Sequence, residues 1–347
     1  MRHFNAEILK LARESRFLTQ TELSIKLGVE QGTVSKIENE TLSCEESLAA
    51  KISEVLDYPI SFFYQERKVF VVEGHYRRKL STSVKKMKQY VAQMTLAEWH
   101  FWKLIDAVEL PPVNLPKWDI NQDGGANIAA KYVRDYWKIP KGRVSNLTKF
   151  VEDNGIPIIQ LELGELDALS TFIQNQIPVI FINKSLPADR YRLTIAHELG
   201  HLVMHFGAKI ENGRDLESEA YQFAIELLMP ENEVGLSFQK LTIEKLANLK
   251  AYWYISMQAL LKYANTLTQI TPNQYKYLWI QMGTLGYRKS EPVSIPKEKP
   301  LLISEIIETY TSDLDYSKEE LAKLLMCSMN DLERLYFDSI KLRVVRK

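Results

Sequence analysis

The sequence predicts a multidomain chain. An all-α domain of short helices comes first, then an α+β domain with a small sheet behind two helices, then a helical C-terminal extension. Three observations carry this reading. At 347 residues the chain exceeds what one core usually covers. Residues 5–65 hold short apolar stretches at helical spacing, separated by capping residues. Three β-rich stretches lie between 156 and 182, flanked by helical patterns.

Ile8, Leu9, Leu11 and Ala12 mark a first amphipathic helix. Thr19, with Glu22 three residues on, reads as a capping box for a helix from Gln20 to Leu27. Gly28 ends that helix, because glycine takes a positive φ at no steric cost. Gln31 to Glu38 follows as a short helix with Val34 and Ile37 inward. Ser47 to Leu56 is another, stopped at Tyr58-Pro59. Residues 66–88 carry eight Lys/Arg against two Glu, and a helix is expected from Val84 to about Val108. The segment from Leu110 to Gly125, with three prolines and two adjacent glycines, reads as a linker.

From Ala126 a second unit begins. Asn127 to Trp137 and Leu147 to Asn154 are helical, and Gly155 follows. Ile156 to Leu163, Leu169 to Gln174 and Pro178 to Ile182 are β-rich. A long helix is expected from Pro187 to about Phe206, then another from Leu216 to Leu228 stopped by Pro230. Beyond 240 the chain is helical again, with a second linker at prolines 292, 296 and 300. The domain division is 1–65, a basic helical connector and linker 66–125, an α+β core 126–235 and a helical extension 236–347.

Composition narrows the function classes. Apolar content of 46% and charged content of 25% are those of a globular protein, and a formal net charge of zero singles out no polyanion. Two cysteines, Cys44 and Cys327, give neither a disulfide framework nor a Cys-rich metal site. No run approaches 18 apolar residues, and charges interrupt the N-terminal stretch. The expectation is a cytoplasmic protein with no membrane span.

His197-Glu198-Leu199-Gly200-His201 carries the chemistry. Two histidines four apart on a helix lie on one face, one turn apart. They can hold one Zn²⁺, and the glutamate between them can act as general base. A hydrolytic zinc takes a third protein ligand. His205, Glu211, Asp215, Glu217 and Glu219 are the downstream candidates. His205 reaches the same metal only with strain. Glu217 and Glu219 point about 200° apart on their helix, so one of them at most faces the ion.

The stretch Arg192-Leu193-Thr194-Ile195-Ala196-His197-Glu198-Leu199-Gly200-His201, with Glu217-x-x-Ala220 and Glu226-Leu227-Leu228-Met229-Pro230, resembles the ImmA/IrrE metallopeptidase family. The resemblance implies a gluzincin-like zinc endopeptidase with His197, His201 and Glu217 as ligands and Glu198 as the catalytic base. Glu219 is then not a ligand. Tyr221 stands where that family often has Asn. Two imidazoles and one carboxylate favour Zn²⁺ over Mn²⁺.

Thr19-Gln20-x-Glu22-Leu23-Ser24-x-x-Leu27-Gly28-Val29, followed by Val34-Ser35-Lys36-Ile37-Glu38, resembles the helix-turn-helix of Cro/C1-type (Xre) repressors. Such a motif lays its second helix in the major groove of a double-stranded DNA operator. Gln31, Gly32, Thr33 and Lys36 are the outward residues for base edges, and Gln20 is placed for a phosphate. Against this, residues 1–65 hold seven Lys/Arg and ten Asp/Glu, and Glu40 replaces the glycine that often follows the motif. The basic run after 66 is a candidate source of the missing positive charge.

Together the two resemblances imply a DNA-binding regulator with a peptidase domain. Its expected substrate is a regulatory protein, such as a helix-turn-helix repressor or a neighbouring small protein, in a stress, mobile-element or toxin–antitoxin-like circuit. A homodimer is compatible with that design. The competing reading is a transcription factor or antitoxin-like binding protein whose metal domain senses metal or ligand without proteolysis. In the tail, Ser317-x-x-Glu320-Leu321-Ala322-x-x-Leu325 repeats the spacing that begins at Thr19, with Met326 in the place of Gly28. A pair of packed helices is the expectation there.

Overall fold

The computed structural model describes residues 3–66, 83–174, 176–207 and 213–337. Most of the basic run, Arg67 to Lys79, and the candidate ligand Glu211 lie outside the described residues. Contacts divide the chain into two compact units. One joins the N-terminal residues, the helix that runs up to residue 104 and the chain from Leu302 onward; the other is formed by Pro111–Leu301. The stretch after 236 is therefore shared between them.

The first unit opens with α1 (Ala6–Ser15), α2 (Gln20–Leu27), α3 (Gln31–Glu38), α4 (Glu46–Leu56) and α5 (Val84–Leu104). The Asn5 side chain accepts from the Glu7 and Ile8 amides at the start of α1. Thr19 and Glu22 cap α2 reciprocally, and Gly28 closes it at φ 70°. Each helix turns one apolar stripe inward: Ile8 and Leu9, Leu23, Val34 and Ile37, and Ile52 share one core. A 3-10 turn after α4 adds Phe62, whose ring lies 5.2 Å from Trp99 on α5.

The second unit runs through α6 (Ala126–Tyr136), α7 (Leu147–Asp153), β1 (Ile158–Leu161), β2 (Ala168–Ile173), β3 (Ile177–Asn183), α8 (Ala188–Met204) and α9 (Leu216–Leu228). It continues with α10 (Glu231–Val234), α11 (Ile243–Trp253), α12 (Met257–Thr266) and α13 (Pro272–Thr284). The sheet order is β1-β3-β2, with β1 parallel and β2 antiparallel to β3. Ile158, Ile180, Ile195, Leu199, Phe223 and Leu227 meet in its core.

Helices α8 and α9 approach closely at Gly200, where a Cβ would stand 2.9 Å from the Phe223 ring. A larger residue there would push the two helices apart. Glu226 is buried and accepts hydrogen bonds from the Glu231 amide and the Tyr263 hydroxyl. It thus fixes the turn at Pro230 that ends α9. Arg192 is fully buried and ion-paired with Glu298, which also accepts from the Thr148 amide and hydroxyl. Lys250 bridges Asp189 and Glu291. These contacts hold the proline-punctuated stretch after Glu291 against α8 and α11. The 110–125 stretch is likewise tied down, with the Trp118 amide donating to the Val203 carbonyl.

The tail returns to the first unit as α14 (Leu302–Glu308), α15 (Lys318–Leu325) and α16 (Met329–Leu332). Ser317 and Glu320 form a reciprocal capping box like that of Thr19 and Glu22. Met326 takes the left-handed conformation at φ 55°, the position Gly28 holds in the first copy. The repeated spacing therefore folds into the same helix, left-handed turn and helix. The methionine side chain packs against the first unit's core, which offsets the cost of that φ. Arg16 on the first copy's side grips Asp331 of α16 with two hydrogen bonds of 2.9 and 2.5 Å.

Candidate metal centre and nucleic-acid interface

His197 and His201 project from one face of α8, and Glu217 enters from the first turn of α9. The two Nε2 atoms are 3.1 Å apart. Glu217 Oε2 lies 3.3 Å from His197 Nε2, and its Oε1 lies 3.6 Å from His201 Nε2. Ligands at about 2.0–2.2 Å from a tetrahedral zinc stand roughly 3.3 Å from one another. The triangle of donor atoms fits that requirement in size and in chemistry. His201 is buried at 2% exposure, whereas His197 and Glu217 are half-buried, so the centre opens on their side.

Glu198 points to the neighbouring strand. The Ser170 hydroxyl on β2 donates to Glu198 Oε2 at 2.7 Å, and both residues are buried. Burial pushes the Glu198 carboxyl above the ordinary carboxylate range; Glu217 acts in the same direction, while His197 and the Ser170 hydrogen bond oppose it.

The other ligand candidates have separate duties. Asp215 caps α9 by accepting from the Ser218 amide. His205 sits at the end of α8 with Nδ1 2.8 Å from His201 Nδ1, behind the donor triangle. Its Nε2 lies 3.1 Å from Glu219 Oε2, and Glu219 Oε1 lies 2.7 Å from Arg214. Ser170 and Arg214 escaped sequence reasoning. Neither lies in the motif, and no periodicity links a strand serine to a helix glutamate 28 residues on.

In the first unit, Gln31 and Lys36 on α3 are exposed, and Gly32 and Thr33 are half-exposed. Gln31 Nε2 donates to Gln20 Oε1 at 2.8 Å, and Gln20 Nε2 donates to Glu38 Oε2 at 2.8 Å. Glu38 in turn is gripped by Arg13 from α1. The start of α2 and the exposed end of α3 are thus braced by one polar chain. Lys85 and Lys88 of α5 line a cleft with Thr19 at the start of α2. No helix among the described residues is long and apolar enough to cross a membrane.

A family model described as an IrrE N-terminal-like domain, from a peptidase family, matches residues 151–265. A model described as a helix-turn-helix matches residues 9–63. No curated protein matches the chain. The first match spans α8 and α9 with their His-His-Glu cluster, and the second spans α2 and α3. The chain carries a Cro/C1-type helix-turn-helix domain followed by an IrrE N-terminal-like, metallopeptidase-like domain.

Proposed function

We propose that this protein is a DNA-binding regulator whose second unit is a zinc-dependent endopeptidase acting on a regulatory protein. The observation that supports it most is the convergence of His197, His201 and Glu217, with Glu198 buried beside them, in a chain that also carries a helix-turn-helix. A zinc ion held by those three residues would lower the pKa of a water to about 7 and polarise the scissile carbonyl. Glu198 takes the proton of the attacking water and delivers it to the leaving amine. Ser170 keeps one Glu198 oxygen occupied, which orients the other for that transfer.

The DNA-binding half places this chemistry near an operator. Gln31, Gly32, Thr33 and Lys36 read base edges, Gln20 holds a phosphate, and Lys85 and Lys88 add positive charge that residues 1–65 lack. The substrate suited to that location is a helix-turn-helix repressor or small protein encoded alongside. The test incubates the zinc-loaded full chain, or its Glu198→Gln variant, with such a repressor. Zinc retained by the variant with cleavage abolished is the expected result. Equal cleavage by the variant overturns the assigned base. A zinc-loaded wild type that cleaves nothing yet still represses its operator returns the metal-sensing reading.

A further inference from the structure

Behind the donor triangle runs a chain of polar contacts on which the proposed peptidase reaction makes no call. His201 Nδ1 faces His205 Nδ1 at 2.8 Å. His205 Nε2 faces Glu219 Oε2 at 3.1 Å, and Glu219 Oε1 faces an Arg214 nitrogen at 2.7 Å. His205 is 1% exposed. Resting on the reading of His197, His201 and Glu217 as ligands, we propose that His205, Glu219 and Arg214 form a positioning relay that sets the tautomer and ring orientation of His201.

Proton counting gives the relay one direction. A contact between two ring nitrogens needs one donor and one acceptor. A His201 that binds metal through Nε2 is neutral and carries its proton on Nδ1. That proton is donated to His205 Nδ1, which must be bare. His205 then carries its own proton on Nε2 and donates it to Glu219. Glu219 accepts with one oxygen and pairs the other with the permanently charged guanidinium of Arg214. Both His205 nitrogens and both Glu219 oxygens then have the partner their protonation demands. Reversing the path would put the His201 proton on Nε2, turned toward His197 and Glu217, where a ligand lone pair is required.

Metal-ligating histidines ordinarily hand their second nitrogen to a carboxylate, a carbonyl or water. In this chain a second imidazole is interposed and carries the carboxylate's influence across the end of α8. His205 and Glu219, both ligand candidates by sequence, serve the centre from behind.

The test uses the full chain and zinc alone. Zinc affinity is read by competition with a chromophoric chelator for the wild type, His205→Phe, His205→Asn and Glu219→Gln. His205→Phe keeps the ring volume and removes both nitrogens, and is expected to weaken zinc binding about 10–100-fold. His205→Asn restores an acceptor near the Nδ1 position and should recover most of that loss. Glu219→Gln should fall between. Long-range proton–nitrogen spectra of the zinc-loaded wild type need no variant: His205 should be protonated on Nε2 and His201 on Nδ1. A His205 protonated on Nδ1, or a His205→Phe protein that binds zinc like the wild type, overturns the relay. A wild type that takes up no zinc overturns the metal-site reading itself, so the two failures are distinguishable.

Discussion

The Ser170 hydroxyl donates a 2.7 Å hydrogen bond to Glu198 Oε2 across the α8–β2 boundary, in a region closed to solvent. A buried hydrogen bond to a charged acceptor contributes about 1.5–3 kcal/mol. Ser170→Ala should therefore lower kcat by about tenfold or more on a cleaved protein substrate, with KM and zinc content unchanged. Ser170→Thr, which keeps the hydroxyl, should restore much of it. Steady-state kinetics beside metal analysis checks this, and a parallel loss of zinc would count against a role through Glu198.

Gln20 and Gln31 act as a unit, because the Gln31 amide is held by the Gln20 carbonyl oxygen. Gln31→Ala should cost about 1–3 kcal/mol on the cognate operator and leave binding to random duplex nearly unchanged. Gln20→Ala should reproduce part of that loss by freeing the Gln31 side chain, and should also weaken binding to random duplex through the lost phosphate contact. Titrations on both duplexes at fixed salt measure the difference.

Gly200 permits the close approach of α8 and α9, with a Cβ there 2.9 Å from the Phe223 ring. Gly200→Ala should destabilise the fold by about 1–3 kcal/mol through overpacking. Phe223→Leu in the same chain should return part of it. Urea midpoints of the single and double variants report the coupling, and additive losses would show that the two residues do not compete for space.

Arg16 and Asp331 tie the tail to the first unit, and Asp331 is 8% exposed. Burial pushes its carboxyl up, but the hydrogen bonds and charges of Arg16 and Arg334 together outweigh that and hold the group below the ordinary carboxylate value. Asp331→Ala removes the carboxylate from Arg16 and should cost about 2–3 kcal/mol, below the usual cost of a broken buried pair because Arg16 keeps its hydrogen bonds to the Leu56 and Asp57 carbonyls. Adding Arg16→Ala should cost less than Arg16→Ala costs alone, the remainder being its bonds to the Leu56 and Asp57 carbonyls. A double-mutant cycle gives the coupling directly.

His100 is buried with Nδ1 2.8 Å from the Tyr336 hydroxyl, and burial pushes its pKa down to about 4 from an ordinary 6.5. The unfolded chain takes up a proton near 6.5 while the folded chain does not until about 4. Stability from this group is therefore lost as pH falls between those values. The loss should reach about 2 kcal/mol between pH 7 and pH 5. Denaturation of His100→Phe at both pH values should show that portion of the dependence removed.

Local signals were legible where local chemistry decides. The Thr19–Glu22 box, the left-handed Gly28 and the α9 bounds follow from capping, glycine and proline rules, which act within one turn of chain. Helix boundaries near Pro187 and Leu216 were legible for the same reason. Met326 shows the limit: its side chain argued against a left-handed turn, but packing against the core supplies what the backbone preference lacks.

The sequence by itself determined the two histidines on one helical face and the glutamate between them, and resemblance pointed to Glu217 rather than Glu219. Tertiary structure decided what surrounds them. It brought Ser170 from a strand to Glu198, and it turned His205 and Glu219 from rival ligands into a chain behind His201. It also returned the tail to the first unit through Asp331. The reason is physical: helix spacing places residues four apart, whereas a hydrogen bond between residues tens or hundreds apart exists only after the apolar faces have packed.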